Sequence, residues 1–181
     1  SNLISDFSYN NDGKNTNSHL FANVGGYLNS GTEFNFQFQD VTNDHYLKMH
    51  SLSNSSPLIS SESLLTTRLN LSKTIDDNSN LNTSFTVYED LSKKDSDRFQ
   101  YILPDFTFTK NLTISENYNG NFKFVSNGFQ KNYDTNKYET LLINDFLFES
   151  NDIVSNSGFL SDYDFLIKNF NSYTENSSSC T

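Results

Sequence analysis

The sequence predicts an all-β protein, an antiparallel up-and-down meander of long strands. Aromatic residues make up 15% of the chain, although all hydrophobic residues together reach only 34%, well below the roughly 45–50% of an average globular protein. Phe and Tyr recur at every second residue, the period of a strand with one apolar and one polar face. Stretches rich in Asn, Asp and Gly separate these segments, as expected of turns.

Alternation of apolar and polar residues defines the strands in order along the chain. The apolar positions are Phe34, Phe36 and Phe38; Phe85 and Val87; Phe99, Tyr101 and Leu103; Phe106 and Phe108; Phe122 and Phe124; Phe146 and Phe148; and Tyr163, Phe165 and Ile167. We expect roughly eight to ten strands of about ten residues, joined as successive hairpins. Helical spacing is weak, and the one candidate is a short turn between Asn43 and His50.

Turns are predicted where Asn, Asp and Gly cluster, because these residues bond to their own backbone and tolerate positive φ. Such clusters occupy positions 9–15, 76–80, 117–120, 127–128 and 133–137. Asn119-Gly120 is the strongest two-residue hairpin signal. Pro104 cannot donate to a strand ladder, so it predicts a strand start, a bulge or an edge, with a turn or bend between two strands.

Strands of this length and alternation fit an outer-membrane β-barrel, whose strands need about 9–11 residues to cross the bilayer. We therefore interpret residues 1–181 as a fragment of such a barrel domain, cut at both ends, that forms part of the wall of a large barrel. The residues predicted to face the lumen are Asn35, Gln37, Thr86, Thr107, Lys123 and Asp164. The residues predicted to face lipid are Phe34, Phe36, Phe38, Phe106, Phe108, Phe122 and Phe124.

A soluble antiparallel sandwich shows the same alternation, with the Phe face as its core. Only 7 Gly and 2 Pro are present, few for the many tight turns of a soluble Greek-key fold, which favours the barrel. The alternatives left open are a porin or another outer-membrane transporter, a secreted β-sandwich adhesin, and a fragment without a stable fold of its own.

Composition argues against several functions. A net charge of −10 disfavours nucleic-acid binding, which depends on clustered cations. Cys180 is the single cysteine, and the three histidines are too scattered to predict a metal site. The acid pairs Asp76-Asp77 and Glu89-Asp90 are interpreted as loop and rim charges, because adjacent residues of a strand point to opposite faces. We predict no enzyme activity, no catalytic residues and no cofactor.

Two segments carry a family resemblance. The first is Thr42-Asn43-Asp44-His45-Tyr46-Leu47, directly after the Phe34–Phe38 strand, and the second runs from Arg98 through Tyr101 to Leu103-Pro104. Their order and interval resemble the barrel domain of the LptD family, which assembles lipopolysaccharide in Gram-negative outer membranes. The family's second motif has one residue fewer between its Tyr and its Leu-Pro pair. The likeness covers about Gly31 to Asn111.

The resemblance implies a conduit that inserts lipopolysaccharide into the outer leaflet of the outer membrane. It also implies an LptE-like lipoprotein inside the barrel and a periplasmic LptA-like bridge as partners. Family members often carry disulfides between their two domains, and Cys180 is the one residue here that could take part in one.

Overall fold

A computed structural model describes residues 1–11, 13, 16–51, 56–112, 119–134 and 137–176 of the chain. Within these ranges it contains one large antiparallel sheet and one small hairpin. The strands are β1 (Asn2–Asn11), β2 (Thr16–Tyr27), β3 (Glu33–Val41), β4 (Leu64–Asp76), β5 (Ser79–Asp90), β6 (Phe99–Leu112), β7 (Gly120–Tyr133), β8 (Lys137–Ser150), β9 (Ile153–Val154), β10 (Leu160–Ser161) and β11 (Asp164–Asn176).

The large sheet is an up-and-down meander of nine strands, in the order β1-β2-β3-β4-β5-β6-β7-β8-β11. Each strand pairs antiparallel with its neighbour along the chain, and the β9–β10 hairpin is inserted between β8 and β11. The predicted all-β meander is therefore confirmed. β1 and β11 are the two edges, and within the described ranges the sheet does not close on itself.

Helices are short. α1 (Tyr46–His50) lies inside the stretch predicted from Asn43 to His50, and a 3-10 turn covers Asp95–Arg98. Tyr46 and Leu47 of α1 are buried, so tertiary packing holds this one-turn helix. No helix in the described ranges is long and apolar enough to cross a membrane.

The predicted turns are only partly confirmed. Asp77-Asn78 connects β4 to β5, and Asp134, with φ of 41°, follows β7. Asn119-Gly120 is not a two-residue hairpin, because Gly120 begins β7 opposite Ser150. Residues 113–118, the rest of that connection, lie outside the described residues. The cluster at 9–15 begins inside β1, which continues to Asn11.

The turn predicted at Asn127-Gly128 is wrong, because both residues lie in the interior of β7. A Cβ at Gly128 would collide with the carbonyl oxygen of Leu141 and would lie 3.2 Å from the ring of Phe106. This glycine therefore permits close approach of the neighbouring strands and does not mark a turn.

Pro104 lies at a β-bulge, and the turn or bend expected there between two strands is absent because β6 runs continuously through it. Ile102 lies opposite Thr86 while Asp105 lies opposite Ser84, so three steps along β6 match two along β5. The pairing with β7 shows the same offset. A bulge tolerates a residue without an N–H donor. The extra residue also returns the Phe residues after Pro104 to the face occupied by Tyr101.

The buried core is small and lies towards the end of the sheet where β3 leads into α1. Its buried members are Phe21, Tyr46, Leu47, Ile59, Leu65 and Leu91. Val41 and Leu58 pack against them. No second sheet covers the nine-stranded one within the described ranges, since the residues of β9 and β10 are all exposed.

Candidate functional site

The strand register gives the sheet two chemically different faces, because residues directly opposite each other on paired strands point to the same face. Val24, Phe36, Leu69 and Phe85 form one such transverse row. We call the face that carries this row the apolar face. The next row, on the opposite face, contains Asn23, Gln37, Arg68 and Thr86, and we call that face the polar face.

The two sets of residues predicted from alternation separate onto these faces. The apolar face carries Phe34, Phe36, Phe38, Phe106, Phe108, Phe122 and Phe124. The polar face carries Asn35, Gln37, Thr86, Thr107, Lys123 and Asp164. That the first face meets lipid and the second a lumen stays a prediction.

Much of the apolar face is uncovered over the described sheet, although Phe148 is 8% exposed because it packs against Phe122 and Tyr163. Phe36 is 37% exposed, Phe146 is 46% exposed and Phe165 is 57% exposed. Aromatic rings contact each other across the strands, with centroids of Phe124 and Phe146 4.7 Å apart and of Phe122 and Phe148 4.4 Å apart. A continuous exposed apolar surface of this kind marks an interaction with another apolar phase or partner.

The polar face carries hydrogen-bonded side chains that span neighbouring strands. Asn35 donates to Asn23 at 2.7 Å. Arg68 donates to Thr86 at 3.0 Å and to the Tyr88 hydroxyl at 2.6 Å. Two further transverse rows of this face consist of Glu33, Ser72, Asn82 and Thr107, and of Asn35, Asn70, Ser84 and Asp105. Both rows, together with the intervening apolar-face row of Phe34, Leu71, Thr83 and Phe106, line a shallow depression of about 370 Å³ across β3 to β6.

The polar face becomes less polar towards β11. In β7, β8 and β11 the face that continues the polar rows also carries Val125, Ile143, Leu147, Leu166 and Phe170. The Lys168 ammonium and the Asp145 carboxylate, 3.1 Å apart, form an ion pair among them. Alternation did not predict this feature. Two apolar runs could have indicated the apolar residues on this face, namely Leu141-Leu142-Ile143 and Phe165-Leu166-Ile167. In both runs the odd and the even positions are apolar, so apolar side chains point to both faces of the strand.

The connection between β3 and β4 folds onto the polar face. We call residues 42–51 and 56–63 of this connection the strap. The Tyr46 hydroxyl lies 3.3 Å from Nδ1 of His19, whose Nε2 lies 3.2 Å from the Asp6 carboxylate. The Ser56 hydroxyl donates to the same carboxylate. His19 is only 4% exposed, and its ring stacks on Phe21 with centroids 4.6 Å apart.

Asp6, His19 and Phe21 belong to the polar face of β1 and β2, since Phe21 lies opposite both Asp6 and Gln39. Contact among these residues was not predicted from the sequence, in which His19 is one of three scattered histidines. The one available signal is that His19, Phe21 and Asn23 lie at every second position of β2 and therefore on one face. His45 and His50, by contrast, are exposed, with His45 directly before α1 and His50 at its last position.

Gln39 bridges a gap in the sheet. Pairing of β3 with β4 ends at Gln37 and Arg68, and beyond that point the two strands separate around the strap. The Gln39 side chain accepts a hydrogen bond from the Thr66 backbone N–H at 2.7 Å and donates to the Leu58 carbonyl. Gln39 is 6% exposed. Its amide thus replaces the backbone partners that the separated strands have lost.

Arg98 connects the strap to the loop before β6. Its Nη2 donates to Asp44 and its Nε donates to Glu89, each at 2.7 Å. The bond to Asp44, followed by the bond to Glu89, raises the pKa of Arg98 above its ordinary value. Glu89, predicted as a rim charge, is therefore one half of a two-carboxylate clamp on a single guanidinium.

A second, exposed ion pair lies at the same end of the sheet. The Lys93 ammonium lies 3.3 Å from Asp134 in the β7–β8 connection. The hydrogen bond from Lys93 lowers the pKa of Asp134 below its ordinary value and is the largest cause of this shift. The charge of Lys137 acts in the same direction. Both ion pairs tie together loops that emerge from one end of the sheet.

The described ranges contain no group of three or more His, Cys, Asp or Glu residues placed to hold a metal ion. Cys180 lies outside the described residues. The candidate functional features of the described ranges are the apolar face, the polar face and the strap.

No known protein family, curated protein or solved structure matches this chain. The resemblance of its two motifs to the LptD family accordingly stays a proposal.

Proposed function

We propose that this chain forms part of the wall of an outer-membrane β-barrel, in a translocon resembling LptD that inserts lipopolysaccharide into the outer leaflet. The observation that carries the membrane assignment is the meander itself: one face is apolar and largely uncovered, and the other carries rows of hydrogen-bonding side chains. Such a sheet needs an apolar phase on one side and water on the other.

The dimensions of the strands support the proposal. The strands of the large sheet contain 9 to 14 residues, and a transmembrane strand needs about 9–11 residues to cross the hydrocarbon core. Apart from the gap between β3 and β4 beyond Gln37 and Arg68, the inner strands have neighbours on both sides, so their backbone groups are paired within the sheet, as a hydrocarbon environment demands. The two free edges would be paired in a closed barrel.

The assignment to lipopolysaccharide assembly depends on the resemblance of the two motifs. Their charged residues support it, because Asp44 of the first motif accepts a hydrogen bond from Arg98 of the second at 2.7 Å. Two segments that resemble one family in sequence are therefore joined in space. Lipopolysaccharide, an LptE-like lipoprotein and an LptA-like periplasmic bridge are the partners that this proposal implies.

Two experiments on the natural protein in its host test the proposal. Membrane fractionation should place it in the outer membrane and show that its extraction requires detergent. Depletion should reduce the amount of newly made lipopolysaccharide that reaches the cell surface, measured by surface labelling.

The outcomes separate the competing functions. A protein that is soluble and monomeric without detergent would refute the barrel and favour a secreted sandwich. An outer-membrane location combined with unchanged lipopolysaccharide export would retain the barrel but reject the LptD-like role, leaving a porin or another transporter.

A further inference from the structure

Over β1, β2 and β3 the strap packs on the face opposite to the exposed Phe residues. Where β3 and β4 have separated, its buried cluster also includes Leu65 of β4, whose register belongs to the apolar face. Four polar-face residues of β1, β2 and β3 contact it: Asp6, His19, Phe21 and Gln39. The strap residues that meet them come from both described parts of the strap. Tyr46 and Leu47 belong to α1, while Ser56, Leu58 and Ile59 follow the connection back towards β4.

The contacts begin where the strap leaves the sheet and turn back over it. β3 ends at Val41, opposite His19, and Phe21 lies opposite Gln39, two residues before that end. At about 3.3 Å per residue, the strap therefore covers roughly 7 Å of the polar face along the strands. It also reaches across β3 and β2 to Asp6 of β1, so it folds back over this end of the sheet and does not extend away from it.

The attachment of the strap is specific and buried. Leu47 and Phe21 have no exposed surface, and Ile59 is 6% exposed. Around this apolar contact the strap makes hydrogen bonds to His19, Asp6 and Gln39, and Arg98 holds Asp44 at its start. By contrast, Met49 of the same helical turn is 68% exposed. The strap thus has one face packed against the wall and one face open.

We propose that the strap is a constriction inside the barrel, docked on the inner wall, which limits the passage of small hydrophilic solutes through the lumen. This inference rests on the proposed function, because only in a barrel does the polar face line an enclosed aqueous space. In that geometry the exposed side of α1, with Lys48, Met49 and His50, projects into the lumen.

The test compares two substitutions that are two residues apart in the same helix. In the natural protein, Leu47→Asp places a charge in the buried contact and releases the strap, whereas Met49→Asp adds the same charge on its open side. Conductance in potassium chloride is measured after reconstitution into planar bilayers. We expect a severalfold rise for L47D and no comparable rise for M49D. Equal conductance of L47D and the unchanged protein, with both correctly assembled, would overturn the inference.

A second measurement does not require L47D to assemble. Leu47→Cys and Met49→Cys are each made in a Cys180→Ser background, and intact cells are treated with a membrane-impermeant maleimide small enough to enter a pore. A docked strap predicts labelling at position 49 and protection at position 47. Equal labelling of both positions would show that the strap projects freely, and the constriction would be rejected.

The two failures are distinguishable. If the proposed barrel is wrong, the protein does not fractionate with the outer membrane and forms no channel at all. If only the constriction is wrong, the protein assembles in the membrane and the variants at position 47 behave like those at position 49.

Discussion

Nη2 of Arg98 lies 2.7 Å from the carboxylate of Asp44, 54 residues earlier in the chain. The same guanidinium holds Glu89 at 2.7 Å through Nε. This clamp joins the strap, the end of β5 and the start of β6 at one end of the sheet. It is also the contact between the two segments that resemble the LptD family.

Arg98→Ala should destabilise the fold by about 1–3 kcal/mol, the range for losing hydrogen bonds to charged groups that are partly shielded from water. The Arg98 side chain is 20% exposed, and its loss leaves two carboxylates facing each other. The free energy of unfolding in denaturant, in a lipid or detergent that supports folding, measures the effect. Lys94→Ala, at an exposed position of the same loop, should change stability by less than about 0.5 kcal/mol. Similar losses for both variants would contradict the clamp.

Phe36→Arg should obstruct membrane assembly, because it places a charge on the apolar face at a cost of about 2–4 kcal/mol near the bilayer midplane. Gln37→Arg, one residue further along β3, adds the same charge to the polar face beside Arg68 and should be far milder. The fraction of protein that migrates as folded on unheated gels reports assembly. If both changes reduced it equally, the assignment of the two faces would be wrong.

Gln39→Met keeps the size of the side chain but removes its hydrogen bonds to Thr66 of β4 and to Leu58 of the strap. Thr66 N–H and the Leu58 carbonyl then lose their partner, at a cost of about 1–3 kcal/mol for each buried unsatisfied group. We expect lower stability together with faster hydrogen exchange at the Thr66 amide. Gln130→Met, at an exposed position of β7, is the control. An unchanged exchange rate at Thr66 would show that the bridge is not needed.

Asp134→Asn should make the contact between Lys93 in the β5–β6 loop and position 134 in the β7–β8 loop independent of pH in the acid range. The pKa of Asp134 is lowered from 3.8 in the folded protein, first by the hydrogen bond from Lys93. A lowered folded-state pKa means that the contribution of Asp134 is present above 3.8 and is lost as pH falls through the lowered value. The group is exposed, so the effect is small and weakened by salt.

Stability measured across the acid range in low salt checks this expectation. The difference between the natural protein and the Asp134→Asn variant should shrink as the solution becomes more acidic. A difference that persists well below the lowered pKa would mean that the aspartate contributes through something other than its charge.

The period of two in the sequence was sufficient to predict the meander and the separation of its side chains. Phe34 and Asn35 could be placed on opposite faces without any structure, because alternation along a strand is a local property. Lys123 and Asp164 followed the same rule in β7 and β11. Local turn chemistry was a weaker guide. Gly128 was predicted to lie in a turn, although it instead allows two neighbouring strands to approach closely. Sequence alone cannot distinguish these two uses of glycine.

The positions of His19, Gln39 and Asp44 were decided only by the tertiary structure. His19 meets Tyr46 across 27 residues, and Arg98 meets Asp44 across 54. Such contacts depend on the register of every strand between the partners. Register also decides facing further along the chain, where the one-residue bulge at Pro104 changes which face each later residue of β6 takes. Alternation is a property of the residues within each strand, so it can be recognised from the sequence alone. Where the strap docks depends instead on the assembled sheet, since its partners become neighbours only after β1, β2 and β3 have paired.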